Sequence, residues 1–242
     1  MSIVSDLSVI IKTFERPESL RQTVESVQKH LPDVPILIAD DSRKPQVVPG
    51  ATVFPMPFDS GLSAGRNLLL SKVETKFFLL LDDDWLLTDS CRIPSMVEYL
   101  LLHQLDIVAG DLFWSKRNCR VPYNGMLERT DDGYLRWING HHKKLGELFI
   151  YDIVDNFFVG RTASVSKVLW DEDLKVGEHE DFFFRAKETL SIGYLPSAFV
   201  INTEDGDDFY QRHRGRRDSY FSLFLKKHNL KGFINRHGIL ER

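Results

Sequence analysis

The chain has only two cysteines, Cys91 and Cys119, among 242 residues. That is too few for a disulfide framework or a thiolate metal cluster, so free thiols are expected, with a single bridge as the alternative. No run reaches the roughly 18 apolar residues of a membrane span. Residues 1–30 also lack the charged start, apolar middle and small-residue cleavage site of a secretory leader. A soluble chain with no transmembrane segment is expected. Excess positive charge is missing too: 31 Lys and Arg against 35 Asp and Glu leave a net charge of −4. A nucleic-acid partner is therefore not expected. The local exception is "QRHRGRR" at 211–217, whose ordinary use is a solvated loop or helix end. Internal repeats and low-complexity segments are absent.

What is present is enough apolar content, 43%, for one substantial core. "LSVII" at 7–11 reads as a short buried strand closed by the turn-prone "KTFERP". Pro17 can open a helix, and Leu20, Val24, Val27 and Leu31 follow at helical spacing. "VPILIA" is a second buried strand. Strand, helix, strand within one short stretch is a βαβ unit and implies a parallel sheet. A strand at "ATVFPM", a helix starting near Ser63, a strand at "KFFLLL", a helix in "IPSMVEYLLLHQ" and a strand in "DIVAGDLFW" continue the alternation. Residues 115–150 are polar, with hairpin turns expected at Asn124-Gly125 and Asp132-Gly133; this stretch reads as an insertion beside the sheet. "NFFVGRT" and "AFVIN" read as strands and "EDFFFRAKETL" as a helix. The expectation is one α/β domain over 1–242 with a mixed sheet.

The stretch "LLLDDDW" puts three carboxylates at the end of a buried strand. Alternation along an extended chain would point Asp82 and Asp84 one way and Asp83 the other. The carboxyl ends of strands are where open α/β sheets present ligands. Two carboxylates there suit a hard divalent cation, Mg²⁺ or Mn²⁺, that leaves positions open for phosphate oxygens. A solvated loop capping the next helix is the ordinary alternative.

The order of the pieces favours the cation. "SVIIKTFERP" at one strand end, "IADDS" at the next, "GLSAGRN" opening a helix and then "LLLDDDW" resembles the nucleotide-binding half of GT-A glycosyltransferases, especially family 2. The resemblance implies a Rossmann-like, three-layer GT-A fold with a central mixed, mostly parallel sheet. It also implies a UDP-sugar donor. Lys12, Thr13, Phe14 and Glu15 would then line the base and ribose pocket, and Asp41, with Asp40 as substitute, would accept from the uracil. Arg66 would approach the ribose or diphosphate, and Asp82 and Asp83 the nucleotide-sugar. Asp84 and Asp82 would hold Mn²⁺ or Mg²⁺, with His213 of the basic cluster as third ligand. The family's usual proline in the first loop is Lys12 here.

"DNFFVGRTASVSKVLWDEDLKVGEHEDFFFRAKETL" resembles the acceptor-side segment of the ganglioside-type β-1,4-N-acetylgalactosaminyltransferases, as do "IKTFERP", "ADDS" and "GLSAGRNLL". This implies inverting transfer, with a β linkage, of N-acetylgalactosamine from UDP-GalNAc to a galactose-type glycan or glycolipid. Inverting transfer needs a base for the acceptor hydroxyl. The candidates are Glu180, then Asp181 and Glu178, with His179 standing where related patterns carry the base. First-turn acids favouring the helix dipole are the ordinary alternative. Trp85, Trp114, Tyr123 and Trp137 could stack on sugars or simply pack. On this resemblance 7–114 is the nucleotide-sugar half and 115–242 the acceptor half. The chain would be cytoplasmic, or lumenal in the Golgi if it is the catalytic piece of a longer protein. Two rival functions are a sugar nucleotidyltransferase, which would need a Gly-rich basic first loop, and a non-catalytic carbohydrate-binding module.

Overall fold

The fold is taken from a computed structural model, which describes residues 5–203 and 215–241. The first half opens with β1 (Leu7–Thr13), α1 (Pro17–His30), β2 (Ile36–Asp40), β3 (Thr52–Pro55) and α2 (Leu62–Leu70). It continues through β4 (Phe77–Asp82), β5 (Trp85–Leu86), α3 (Ile93–Leu102) and β6 (Ile107–Trp114). Strands β1, β2, β3 and β4 pair in parallel, as alternating strand and helix requires. Side chains alternate across this sheet, and both faces are apolar. Val9, Ile11, Leu79 and Leu81 pack into one core with α1 and α3. Ile10, Phe78 and Leu80 pack into a second core that also takes Leu69 and Leu70 of α2. The result is three layers, helices on both sides of a buried sheet.

The second half adds β7 (Cys119–Arg120), β8 (Met126–Arg129), β9 (Tyr134–Ile138), β10 (Lys143–Leu145), β11 (Leu148–Tyr151) and β12 (Phe158–Arg161). Then follow α4 (Thr162–Val165), α5 (His179–Ala186), β13 (Ile192–Asn202), α6 (Arg217–Lys227), β14 (Gly232–Ile234) and β15 (Leu240–Glu241). β12 enters antiparallel between β4 and β6, and the long β13 runs parallel to β6. The sheet order is β10-β11-β13-β6-β12-β4-β1-β2-β3. It is mixed overall and parallel from β4 through β1 and β2 to β3.

The insertion does more than lie beside the sheet. β10 and β11 extend its edge, while β8 and β9 join β14 and β15 in a separate sheet of order β15-β14-β9-β8. Asp132-Gly133 sits in the β8–β9 hairpin as expected. Asn124-Gly125 does not make a hairpin. Gly125 bridges Ile153 instead, and a side chain on it would collide with the Trp137 indole nitrogen at 2.1 Å. Cys91 and Cys119 are free thiols. Among the described residues no helix is long and apolar enough to cross a membrane.

Candidate active site

Lys12, Asp41 and Asp82 meet because β1, β2 and β4 end together: Lys12 lies opposite both Ala39 of β2 and Asp82 of β4. The edge opens into a cavity of about 620 Å³, the size of a small-molecule site. The Lys12 ammonium donates to the Asp41 carboxylate and to the Thr13 carbonyl. Burial lowers the proton affinity of this amine against the pull of Asp41. The other Asp41 oxygen accepts the Gly61 N–H at 2.8 Å. Gly61 holds a positive φ of 98° just before α2, and Lys175 leaves no room for a side chain there. Gly65 is needed for a different reason: a Cβ would fall 2.2 Å from the Lys12 chain. Asp40 accepts the Ser42 and Gln46 amides, shaping the turn.

The three aspartates divide differently from strict alternation. β4 stops at Asp82 and the chain turns immediately, so the strand rule no longer governs Asp83 and Asp84. Both point to Arg16, Asp84 at 2.9 Å, while Asp82 takes Arg66 at 3.1 Å. Thr13 donates to Asp83 at 2.6 Å. Thr23 and Thr203 pin the turn by bonding the carbonyls of Asp83 and Asp84. Burial pushes the Asp84 carboxyl up to about 7; Arg16 opposes this, while the neighbouring Asp83 and Asp82 add to it. Asp82 and Asp84 both line the cavity. Hard oxygen donors of this kind fit a divalent cation. Among the described residues no three His, Cys, Asp or Glu side chains gather as a ready cage, so phosphate oxygens or other donors would complete the shell.

The opposite wall comes from the second half. Arg66, almost wholly buried, bonds Asp82 with one nitrogen and Glu178 with another. It therefore ties the acidic turn to the start of α5. Glu180 accepts from Arg217 at 2.8 Å and from the Tyr123 hydroxyl at 3.1 Å. His179 lies between them, with Nδ1 3.0 Å from Asn156 Oδ1. Burial lowers its pKa to about 4, so the ring is neutral at physiological pH. Asp155, also on the wall, is pushed up to about 7 by burial, with Asp82 and Asp111 adding to the effect.

The structure thus brings Lys12, Phe14, Asp41, Arg66, Asp82, Asp83, Asp84, Glu178 and Glu180 to one cavity. Thr13 and Glu15 stand behind it; Glu15 accepts the Arg43 amide at 2.6 Å. Asp181 faces away, held by Arg185 at 2.7 Å and His228 at 2.6 Å. Burial works against its charge, yet these bonds keep its carboxyl below the usual range. His213 lies outside the described residues. Trp85, Trp114 and Tyr123 line the cavity, whereas Trp137 packs behind Tyr123, ring centroids 4.6 Å apart. Sequence reasoning did not assign Arg16, Asp155 or Asn156 to the site. "DNFF", two polar residues ahead of a buried aromatic pair, was the available signal for Asp155 and Asn156.

The chain is similar to known proteins in sequence and in fold. The chain is 32% identical over 202 residues to β-1,4 N-acetylgalactosaminyltransferase 2 of Mus musculus, covering 80% of this chain and 38% of that protein. It is 36% identical over 250 residues to β-1,4 N-acetylgalactosaminyltransferase 1 of Homo sapiens, covering 95% and 46%. The chain therefore spans less than half the length of these curated relatives. Its fold matches S. aureus TarS with a TM-score of 0.62 at 18% identity, over 92% of this chain and 43% of that one. The crystal structure of TarS 1–349 with UDP-GlcNAc matches with a TM-score of 0.63 at 14% identity, covering 92% and 66%. The Glycosyl transferase family 2 model matches residues 8–169, a span that includes Lys12, Asp41, Arg66 and Asp82–Asp84, and the chain belongs to that family.

Proposed function

We propose that this chain carries out metal-dependent, inverting transfer of N-acetylgalactosamine from UDP-GalNAc to a galactose-type glycan or glycolipid, forming a β linkage. One observation carries the reading. Arg66 bonds Asp82 on the donor side and Glu178 on the acceptor side, so strand tips and the α5 start face each other across one cavity. The two mammalian relatives are β-1,4 N-acetylgalactosaminyltransferases, which supports the transferred sugar and the linkage. The TarS complex supports a UDP-sugar.

In this reading Lys12, Phe14 and Asp41 hold the uracil, backed by Thr13 and Glu15. A buried amine donor beside a carboxylate acceptor complements a uracil carbonyl and its N3–H. Asp82 and Asp84 would hold Mn²⁺ or Mg²⁺, with His213 as a further ligand. Such an ion offsets the charge that develops on the departing diphosphate. Arg66 orients Asp82 toward the donor. Glu180, fixed by Arg217 and Tyr123, accepts hydrogen bonds from acceptor hydroxyls.

The test is a screen of UDP-sugars for Mn²⁺-dependent turnover, followed by glycan acceptors with the best donor. UDP-GalNAc should give the highest rate, and chelation should abolish it. A chain that turns over no UDP-sugar in Mn²⁺ would refute the proposal.

A further inference from the structure

Inverting transfer needs a group that removes the acceptor proton, and the acids at the start of α5 are all engaged. Glu178 is bonded by Arg66, Glu180 by Arg217 and Tyr123, and Asp181 by Arg185 and His228. His179 is in a different condition. It lines the cavity, its ring edge-on to Tyr123 and tilted against Phe183, each with its centroid 4.9 Å away. Asn156 Oδ1 lies 3.0 Å from Nδ1. Nε2 is buried and has no partner.

An amide oxygen can only accept, so the Nδ1 facing Asn156 Oδ1 carries hydrogen. The tautomer is thereby set, and Nε2 keeps its lone pair. A buried acceptor with nothing to accept costs about 1–3 kcal/mol. Such a group calls for an explanation, and a catalytic role is one.

Resting on the sugar-transfer reading of this cavity, we propose that His179 is the general base, its Nε2 taking the proton of the attacking acceptor hydroxyl. The hydroxyl oxygen bonds to the anomeric carbon as the bond from that carbon to the diphosphate oxygen breaks. The electron pair leaves with UDP, and the proton passes to Nε2. The imidazolium formed is opposed chiefly by burial and also by Arg66, and favoured by the negative charges of Glu178 and Asp82. It returns its proton to solvent after product release. Asn156 is a positioning residue, since it acts only through the ring. The rival is Asp155, a half-buried wall carboxylate bonded to no cation among the described residues. Its Oδ1 accepts the Asn156 amide at 2.7 Å, which shapes the loop that carries Asn156.

The experiment compares the wild type with His179→Ala, His179→Phe and Asp155→Asn. It measures UDP affinity in Mn²⁺, hydrolysis of UDP-GalNAc, UDP-GlcNAc and UDP-galactose, and transfer to methyl β-galactoside. Phenyl replaces imidazole among aromatic neighbours, so His179→Phe tests the role even if the alanine variant folds poorly. Both His179 variants should bind UDP as the wild type does, yet lose about 10²–10⁴-fold in turnover. Added imidazole should restore part of the rate to His179→Ala, which a structural role for the ring would not allow. Turnover by His179→Phe within threefold of wild type overturns the proposal. So does a loss confined to Asp155→Asn, which would make that carboxylate the base. A wild type that binds UDP but turns over none of the three sugars counts instead against the transferase reading.

Discussion

The two walls of the cavity are built by different means. On the wall built by the first half, most ion pairs join the ends of strands that lie side by side in a parallel sheet, Lys12 with Asp41 and Arg16 with Asp83 and Asp84, while Arg66 reaches Asp82 from α2. The opposite wall is gathered from afar. Tyr123, Asn156, His179, Glu180 and Arg217 come from four separate segments, and Arg217 bonds both Glu180 and, behind the wall, Glu241. One wall follows from topology, because the carboxyl ends of neighbouring parallel strands must coincide. The other depends on loops finding one another.

The largest effect expected from breaking this contrast is on the donor side. Lys12→Met strands the buried Asp41 carboxylate and should cost about 3–5 kcal/mol of stability in denaturant unfolding. Adding Asp41→Leu should recover much of the loss, since two apolar groups replace a pair. Asp84→Asn comes next: kcat in Mn²⁺ should fall about 10²–10³-fold while the fold persists, read by turnover and circular dichroism. Unchanged turnover would remove Asp84 from the metal site.

Two tests sharpen the acceptor side. The His179 pKa falls from 6.5 to about 4 on folding. A lowered folded-state value means the unfolded chain takes up the proton first as pH drops. The stability is therefore whole above pH 6.5 and is lost between 6.5 and 4. His179→Phe should remove a share of that acid sensitivity on the order of 3 kcal/mol, seen as a flatter plot of unfolding free energy against pH. The smallest effect is expected from Asn156→Ala, which frees the ring. A drop in kcat of about 10–100-fold with KM little changed would mark it as positioning.

The same contrast explains what the sequence revealed. β1, β2 and β4 are apolar runs ending in chemistry-bearing residues, so fold and donor wall could be read together. The Asp82–Asp84 division escaped because alternation says nothing beyond the last strand residue. The acceptor wall was legible only as the stretch "GEHED". Spacing shows that Glu178, His179, Glu180 and Asp181 share a helix start, but not which of them Arg66, Arg217 or Arg185 will claim. Nor does any local pattern tie Arg217, at the opening of α6, to Glu180, because that contact depends on how the chain returns from the small sheet.

That small sheet, β15-β14-β9-β8, has an architectural consequence. Its inner seam is the parallel pair β9–β14, which joins the insertion to the stretch following α6. Glu241 on β15 then reaches back to Arg217. Swapping only 115–150 between homologous chains would leave an orphaned strand, whereas moving it with 228–241 would transplant a self-consistent unit. The two stretches form one cassette that can be exchanged while β1, β2 and β4 stay untouched.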